Sequence, residues 1–460
     1  MNTEQFRAAY DRAYNVDPET RRRLAQIKRL FDCINADEVF RAALVSSQDS
    51  AALARSRGCE ADPEDLRPLF DPDCSEKARV RAERSSSYQL WRTFTLAKVQ
   101  FLDISRKATE IGAPPEFLAW RRRQIRRFES QVGRVGTANP HAVAAIELSR
   151  GCTVGCKFCG VSAKPFGGHL AYDADGATFW RNLLSDLRDV LGASSQAAFC
   201  YWATDPLDNP DYLQFIRDFR QIIGITPAMT TAIPLRNLSL TRAVLEHTAQ
   251  DRTGVSRFSI LSMNVFNRVI RTFTPEEMLT VELAHQAPQA GRARAFAGRN
   301  RNPGEVPELD AATTIACVSG FLINALDRTV QLVSPTIASD QWPDGFIILG
   351  QRTFGSDGHI AGALYELIDE HMTSVVQSAD VLRLRADLTY EQRGAGFALR
   401  NPRTIHSYPA YGQFMSRLLA DGGSVGSAVA TATTEGLEPA EAFAVVEGLY
   451  NAGLLERRQL

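Results

Sequence analysis

The sequence has almost no net charge and no long apolar run. Its 52 Lys and Arg residues balance 53 Asp and Glu residues, so the formal net charge is −1. This balance creates no overall basic field, which argues against nucleic acid or a membrane surface as a partner. No apolar run approaches the roughly 18 residues that a membrane helix needs, which argues against a membrane span.

A secretion signal is also missing. The first residues, MNTEQFRAAYDRAYN, are polar and contain no apolar signal core. We therefore expect a cytoplasmic protein, in a reducing compartment where clustered cysteines indicate metal or redox chemistry more often than disulfides. The 460 residues contain no short-period repeat or low-complexity tract and suffice for two or three domains.

Cysteine is scarce but clustered. Three of the eight cysteines lie in the stretch RGCTVGCKFCG, residues 150–160. Three thiolates on one loop can hold a [4Fe–4S] cluster and leave one iron free to bind the amino and carboxylate groups of a small molecule. A structural zinc would need a fourth ligand; His141 and His169 are the nearest candidates, without the usual finger spacing. The pattern favours the cluster, with zinc as the alternative.

The first 138 residues are predicted to form a helical region. Leu24, Ile27, Leu30 and Phe31 recur at the spacing of one helix face. A basic stretch in a further helix is interpreted as a solvated face, with contact to an acidic partner as the alternative. Its members are Arg121, Arg122, Arg123, Arg126 and Arg127.

Residues 139–355 alternate between apolar runs and amphipathic helices, which indicates an α/β domain. Repeated strand–helix units predict parallel strands with right-handed crossovers, in a barrel or an open sheet. Thr274, Pro275 and Glu277 predict a capped helix start. The predicted strands are residues 142–148, 197–203, 225–232, 257–263, 313–320 and 329–335.

Residues 356–460 are predicted to form a small winged-helix-like domain. The alternating run 382–388 predicts a strand, and residues 397–400 its hairpin partner across the turn at 393–396. Three short helical patterns with glycine stops follow Pro409. A hairpin and three helices outline a winged helix-turn-helix.

The cysteine loop resembles that of the radical S-adenosylmethionine (SAM) superfamily. The resemblance rests on Cys152, Cys156 and Cys159, on Phe158 before the last cysteine, and on the preceding strand. It implies a partial (β/α)6 radical SAM barrel, a [4Fe–4S] cluster, SAM as cofactor and an electron donor such as flavodoxin or ferredoxin. Enzymes of this superfamily cleave SAM reductively and release a 5′-deoxyadenosyl radical.

The same resemblance implies further SAM contacts. Asp205, in the stretch ATDPLDNP, takes the place of the carboxylate in a Gly-Gly-Glu-Pro motif that holds the SAM amino group, although both glycines are absent. Thr230 and Ser262 fall where polar groups meet the methionyl carboxylate or the ribose. The alternatives are an ordinary turn at Asp205 and ordinary strand hydroxyls at the other two positions.

A narrower resemblance covers about two thirds of the chain. The stretches ELSRGCTVGCKFCGVSA, FCYWATDPLDNPDY, RFSILSMN and LVSPTIASDQWP resemble radical SAM epimerases of proteusin-type peptide pathways. This implies conversion of L- to D-residues in a ribosomally made precursor peptide, by Cα hydrogen abstraction and return of a hydrogen from a thiol. It also implies that the C-terminal domain holds the leader peptide as an added strand.

The hydrogen donor is predicted to be Cys317, with Cys200 as the next candidate. Thr336 stands where related enzymes often have a cysteine, and a hydroxyl is a poor donor to a Cα radical. Cys33, Cys59 and Cys74 are predicted only to pack. Two other functions stay open: a different Cα- or side-chain-centred peptide modification, and a metal-sensing DNA-binding regulator with a winged helix.

Overall fold

A computed structural model describes residues 3–457, apart from 109, 111, 134–138, 250, 252–253, 292–293, 303, 305–312, 374 and 421–422. The predicted domain boundary at residue 138 therefore lies outside the described residues. In the described N-terminal residues, the α-helices are α1 Thr3–Tyr14, α2 Pro18–Ala36, α3 Glu38–Ser46, α4 Ser50–Ser56, α5 Glu76–Arg84, α6 Ser86–Ala108 and α7 Pro115–Val132.

Helix α2 confirms the predicted helical periodicity. The Asp17 carboxylate caps its first turn by accepting a hydrogen bond from the Thr20 amide at 2.9 Å. Leu24, Ile27 and Leu30 are buried in the core. One face of α2 thus packs against the rest of the fold, as the spacing of its apolar residues predicts.

The arginines of α7 are not a solvated face, and that prediction is wrong for three of the five. Arg122 and Arg126 are exposed, whereas Arg121, Arg123 and Arg127 are buried. Guanidinium groups enter a protein interior only where acceptors or aromatic rings receive them. The buried members therefore have structural partners and are not available to an acidic partner protein.

Those partners lie on both sides of α7. Arg121 donates to the carbonyl oxygens of His141 at 2.7 Å and Ser319 at 2.6 Å, next to the central sheet. On the other side, Arg123 lies over the ring of Tyr450, 4.2 Å from its centroid, in the last helix of the chain. Helix α7 therefore joins the central sheet to the C-terminal module.

The middle of the chain is mixed α/β, as predicted, with two small sheets. The larger sheet has the order β1-β5-β6-β7, in which β1 and β5 are parallel and the others antiparallel. The smaller one, β2-β3-β4, is parallel throughout. The strands are β1 Ala142–Glu147, β2 Thr230–Thr231, β3 Ser256–Ile260, β4 Val281–His285, β5 Val318–Asn324, β6 Thr329–Pro335 and β7 Phe346–Thr353.

Several strand predictions need correction. Of 225–232 only Thr230–Thr231 form a strand, and the strand predicted at 313–320 begins at Val318. Residues 197–203 form only an isolated parallel bridge between Phe199 and Ala145, because no further residue of this short run pairs with β1. The two late runs form the antiparallel hairpin β5–β6 instead of two further parallel strands. Within the described part of the chain, the strands do not close into a barrel.

Helices connect these strands: α8 Ala174–Leu191, α9 Tyr212–Ile223, α10 Leu238–Thr248, α11 Met263–Thr272, α12 Pro275–Met278 and α13 Ala361–His371. The start of α12 confirms the predicted capping box, because Thr274 and Glu277 exchange hydrogen bonds between side chain and backbone. Among the described helices, none is long and apolar enough to cross a membrane.

The C-terminal module has a hydrophobic cluster of its own, which includes Phe397, Leu399, Met415 and Leu449. Its three predicted helices are confirmed. The elements are β8 Leu382–Leu384, β9 Thr389–Arg393, β10 Gly396–Arg400, β11 Ile405–Tyr408, α14 Gly412–Ala420, α15 Val425–Thr434, α16 Pro439–Asn451 and β12 Leu455–Arg457.

The predicted hairpin of this module is wrong in its pairing. Strand β10 pairs with β9 and β11 in a three-stranded antiparallel sheet, in which β9 and β11 are the edges. The run 382–388 contributes only β8, which pairs with β12 at the end of the chain. A partner some seventy residues away leaves no local signal in the sequence.

Candidate metal centre

The cysteine loop follows the carboxyl end of β1, as the sequence predicts. Gly151 has a φ of +67°, and a Cβ there would lie 2.3 Å from the carbonyl oxygen of Pro165. Only glycine fits this close approach. The amide of Cys152 then donates to the carbonyl oxygen of Lys164 at 2.9 Å, which fixes the start of the loop.

The three loop thiols are partly buried. Backbone amides point at two of them: Val154 donates to Cys152 Sγ at 3.4 Å, and Ala163 to Cys159 Sγ at 3.3 Å. Burial raises the pKa of Cys152 to about 11, and the carboxylates of Asp205 and Asp208 add to this shift. Burial also raises the pKa of Cys156, with a further contribution from the neighbouring Cys159 thiol. The loop thiols thus interact electrostatically with one another and with the acidic side chains beside them.

The loop thiols do not form a site for a single ion. Among the described residues, no three His, Cys, Asp or Glu side chains lie close enough to share one metal ion. In a [4Fe–4S] cubane each thiolate binds its own iron, so such a site would not require the three sulfur atoms to meet at one ion. The amides directed at Cys152 and Cys159 suit thiolates that carry negative charge.

The two histidines considered as zinc ligands have other partners. His141 is buried, and its Nδ1 lies 2.8 Å from Ser319 Oγ at the start of the β1–β5 pair. The Nδ1 atom of His169 lies 3.3 Å from the carbonyl oxygen of Leu170. Neither contact directs an imidazole toward the loop thiols, which disfavours the zinc interpretation.

Asp205 is buried and joins two strand ends. Its carboxylate accepts hydrogen bonds from Thr231 Oγ1 and from the Ala232 amide, both at 2.7 Å, and from the Leu207 amide at 3.0 Å. Burial raises the pKa of Asp205 to about 6 against the effect of these donors. The residue therefore has a structural role at the predicted position, and its contact with an ammonium group stays a prediction.

Asp208, three residues further on, ties this turn to the cysteine loop. Its fully buried carboxylate accepts from the Thr153 amide at 2.9 Å and pairs with Arg236 at 2.7 Å. A buried charge with both an amide donor and a cation is well compensated. Sequence reasoning placed Asp208 in a turn and missed this link.

The other predicted SAM contacts have local partners. Thr230 Oγ1 donates to the Tyr201 hydroxyl at 2.9 Å. Ser262 is exposed and caps α11 by accepting from the Val265 amide at 3.3 Å. The guanidinium of Arg294 lies 3.8 Å from the centroid of the Phe158 ring, which is a cation–π contact on the cysteine loop.

Glu147, the last residue of β1, is a buried acid that sequence reasoning missed. Its carboxylate accepts from the Ala203 amide at 2.8 Å and from Asn324 Nδ2 at 3.0 Å. Burial raises its pKa to about 7. Asn324 also donates to the carbonyl oxygen of Ser149 at 3.4 Å. The available signal was a single acid at the end of an otherwise apolar run.

The segment at Gly298 and Arg299 closes over the other side of the loop. The amide of Arg299 donates to the carbonyl oxygen of Cys159 at 2.9 Å, and its guanidinium donates to that of Cys156 at 3.0 Å. A Cβ on Gly298 would lie 2.3 Å from the carbonyl oxygen of Cys159. Contacts from a segment far along the chain thus hold the loop in place, and no sequence motif predicts them.

Cys317 is partly buried, directly before β5, and packs in a cluster with Phe199, Tyr201 and Phe346. Burial raises its pKa to about 11. Two residues earlier, Ile315 contacts the cysteine loop: a Cβ on Gly160 would lie 3.0 Å from Ile315 Cδ1. The chain segment that carries Cys317 therefore lies against the loop of the three cysteines.

The remaining cysteines lie in the interior. Cys200 is buried in the main core, and burial raises its pKa. Cys33, Cys59 and Cys74 are buried as well, as their packing role predicts, with the Sγ atoms of Cys33 and Cys59 3.7 Å apart. Thr336 is also buried, and its hydroxyl donates to Gln131 Oε1 at 3.1 Å.

Comparison with curated proteins finds a relative that the chain matches over most of its length. No family model matches the chain, and no solved structure matches it. The chain is 37% identical over 454 residues to a protein of Sinorhizobium fredii (strain NBRC 101917 / NGR234) named "Uncharacterized protein y4wI". The match covers 95% of this chain and 88% of the relative. The chain therefore belongs to the same protein family as y4wI of Sinorhizobium fredii.

Proposed function

We propose that this protein is a radical SAM enzyme that converts L-residues to D-residues in a ribosomally made peptide. The observation that carries the proposal is the loop after β1, where Cys152, Cys156 and Cys159 present three partly buried thiols. A site for packing alone would bury its thiols in apolar surroundings, as at Cys33 and Cys59.

In this proposal the three thiolates hold a [4Fe–4S] cluster. With SAM bound, such a cluster supplies a 5′-deoxyadenosyl radical by reductive cleavage. Asp205 accepts the ammonium group of SAM, and Thr230 and Ser262 contact its carboxylate or ribose. Asp208 and Arg299 hold the loop backbone in position through Thr153 and Cys156.

The proposed fold around this site is the partial radical SAM barrel. Its support is the parallel β1–β5 pair, the bridge at Phe199 and the parallel sheet β2-β3-β4, with helices between successive strands. In parallel sheets the loops at the carboxyl ends of strands form the usual ligand site. Cys152 follows the carboxyl end of β1, and Asp205 follows the run 197–203, whose Phe199 bridges to β1.

A peptide substrate is supported by the C-terminal module. Strand β11 is an edge of its sheet, and Ile405 on this edge is 61% exposed. An unpaired edge strand offers backbone donors and acceptors to an extended peptide, and apolar side chains beside it add specificity. We propose that the leader part of the precursor pairs with β11. In the same proposal, flavodoxin or ferredoxin supplies the electron that reduces the cluster.

Cys317 is the proposed hydrogen donor. Its segment touches the cysteine loop through Ile315, whereas Cys200 is enclosed in the main core. Thr336 donates to Gln131 within a buried network, so its hydroxyl has a packing role. A thiol that returns hydrogen to the peptide also exchanges with solvent, so a D-residue made in heavy water should gain one deuterium.

The test is co-expression with a short open reading frame beside the gene, in heavy water, followed by peptide mass spectrometry and chiral analysis. Deuterated D-residues that disappear in Cys317→Ala support the proposal. A modified peptide without D-residues would replace epimerisation by another Cα- or side-chain-centred change. A colourless zinc protein that binds DNA would instead favour the regulator, and the proposal would be wrong.

A further inference from the structure

Cys317 is one of the residues that line a small, mainly apolar cavity. The volume of this cavity is about 210 Å³, and most of its exposed lining is apolar. The residues that form it come from the end of α7, from the approach to β1 and from the approach to β5; they include Phe128, Val132, Pro140, Ile315, Ala316 and Cys317.

We infer that this cavity receives one branched aliphatic side chain of the peptide, such as that of valine or leucine, next to the Cys317 thiol. The inference rests on the proposed function, because it names the class of residue that the enzyme selects. It adds a selection site that the cysteine loop and the leader-binding edge do not provide.

The size of the cavity favours a single side chain. Pockets for drug-sized ligands are about 300–1,000 Å³, so this cavity is too small for a nucleotide or a cofactor. It is large enough for a branched alkyl group. Because the lining consists mainly of side chains such as Phe128, Val132 and Ala316, burial of an alkyl group there is favourable.

The lining disfavours a charged occupant. A carboxylate or ammonium group would lose its hydration there, and an apolar wall offers no hydrogen bonds to replace it. Among the described residues that line the cavity, Arg403 is the charged one, and it already has a partner within the chain. An acidic side chain would have to compete for that guanidinium.

The position of the cavity connects the two proposed peptide contacts. Arg403 lies two residues before β11, the edge strand proposed to hold the leader. Ile315, on another wall, contacts the cysteine loop at Gly160. The cavity thus has one wall next to β11 and another next to the cysteine loop.

The test measures alkylation of Cys317 in the full-length protein, purified anaerobically, by peptide mass mapping. N-ethylmaleimide should modify Cys317 roughly tenfold faster than a carboxylate-bearing maleimide of similar size. Val132→Phe fills the cavity and should slow the reaction with N-ethylmaleimide. Val132→Ala enlarges it and should speed the reaction with the bulkier N-cyclohexylmaleimide. Val99→Phe, at an exposed position of α6, is the matched control and should change neither rate.

Substrate class is tested with blocked pentapeptides of the form Gly-Gly-X-Gly-Gly. Peptides with X as valine or leucine should protect Cys317 from N-ethylmaleimide, and the aspartate peptide should not. Equal protection by all peptides, protection by aspartate alone, or equal rates in both Val132 variants would overturn the inference. None of these measurements uses SAM or its cleavage. Failure of the cavity is therefore distinguishable from failure of the proposed function, which the production of 5′-deoxyadenosine reports.

Discussion

The same residue type has two different environments in this protein. Cys33 and Cys59 lie in the helical N-terminal part, are 2% and 1% exposed and touch each other in an apolar core. Cys152, Cys156 and Cys159 lie on a glycine-containing loop, partly open to solvent, with amides and acids beside them. Residue identity alone does not separate a packing thiol from a ligand; the backbone around it does.

Among the arginines of α7, the members that contact the central sheet are buried. Arg122 and Arg126 are exposed, and Arg126 donates to the carbonyl oxygen of Asn451 at 3.3 Å. The buried members join the sheet to the C-terminal module. In both sets, the members that depart from the usual environment of their type are the informative ones: cysteines near solvent and arginines in the core.

Replacing each group of cysteines by alanine should separate the two environments most strongly. The triple variant of Cys152, Cys156 and Cys159 should lose all bound iron and all SAM cleavage, because each thiolate binds one iron. The triple variant of Cys33, Cys59 and Cys74 should keep both and lose on the order of 1 kcal/mol of unfolding free energy per site. Iron analysis and thermal unfolding measure the two outcomes, and full iron content in the loop variant would contradict the assignment.

Within α7, Arg127→Leu and Arg122→Leu form a matched pair. Arg127 donates to Ser334 Oγ at 3.1 Å and to the carbonyl oxygen of Pro335, and its removal leaves buried acceptors unsatisfied. We expect a loss of about 3–4 kcal/mol for Arg127→Leu and less than about 0.5 kcal/mol for the exposed Arg122. Urea unfolding compares them, and equal stabilities would restore the interpretation of α7 as a solvated face.

Two glutamates, the buried Glu147 and the partly exposed Glu282, should give opposite pH dependences. Burial raises the pKa of Glu147 to about 7, above its unfolded value. As the pH rises, this residue therefore loses its proton in the unfolded chain first. The free energy of unfolding should fall by up to about 3 kcal/mol as the pH rises from 4.5 to 7. The substitution Glu147→Gln should remove this decrease, as measured by urea unfolding across that range.

Glu282 is the control for this measurement. Burial alone would raise its pKa, but Lys98 and Lys28 hold it below the usual value. Its ionised form therefore stabilises the fold above the unfolded pKa, and that contribution is lost as the pH falls through the folded pKa. Glu282→Gln should thus be less stable than the native protein at neutral pH. The same pH profile in both variants would show that the surroundings of Glu147 are misassigned.

The smallest expected effect is on SAM binding. Asp205→Asn should weaken it by about 1.5–3 kcal/mol, because the charge-assisted contact with the ammonium group is lost. The control variant is Asp218→Asn. Asp218 is a buried acid that does not belong to the loop, and its carboxylate lies 2.9 Å from Arg181 Nε. Calorimetric titration of SAM into the reconstituted protein measures both. Equal affinities would leave Asp205 with its structural role alone.

Local patterns in the sequence predicted the elements that depend on near neighbours. The capping box at Thr274 and the buried stripe of α2 are of this kind, because caps and helix faces are set within a few residues. The pairing of β8 with β12 and the carbonyl partners of Arg121 were not predictable, since they depend on segments far along the chain.

The candidate site divides in the same way. Spacing pointed to Cys152, Cys156 and Cys159, and the resemblance to the radical SAM superfamily pointed to Asp205. Glu147 and Arg299 were missed, because what distinguishes them is contact with the loop: Glu147 through Ala203 and Asn324, Arg299 through the Cys156 carbonyl. These contacts form only in the folded chain; the local sign of Glu147 is a single acid at the end of an apolar run, and the exposed Arg299 has none.

The proposal that the three loop thiolates hold a SAM-cleaving cluster is tested by anaerobic reconstitution of the wild-type protein with iron and sulfide, followed by SAM and dithionite. We expect a brown protein with about four irons per chain and the appearance of 5′-deoxyadenosine. A protein that binds four irons but yields no 5′-deoxyadenosine, or one that binds only zinc, would contradict it.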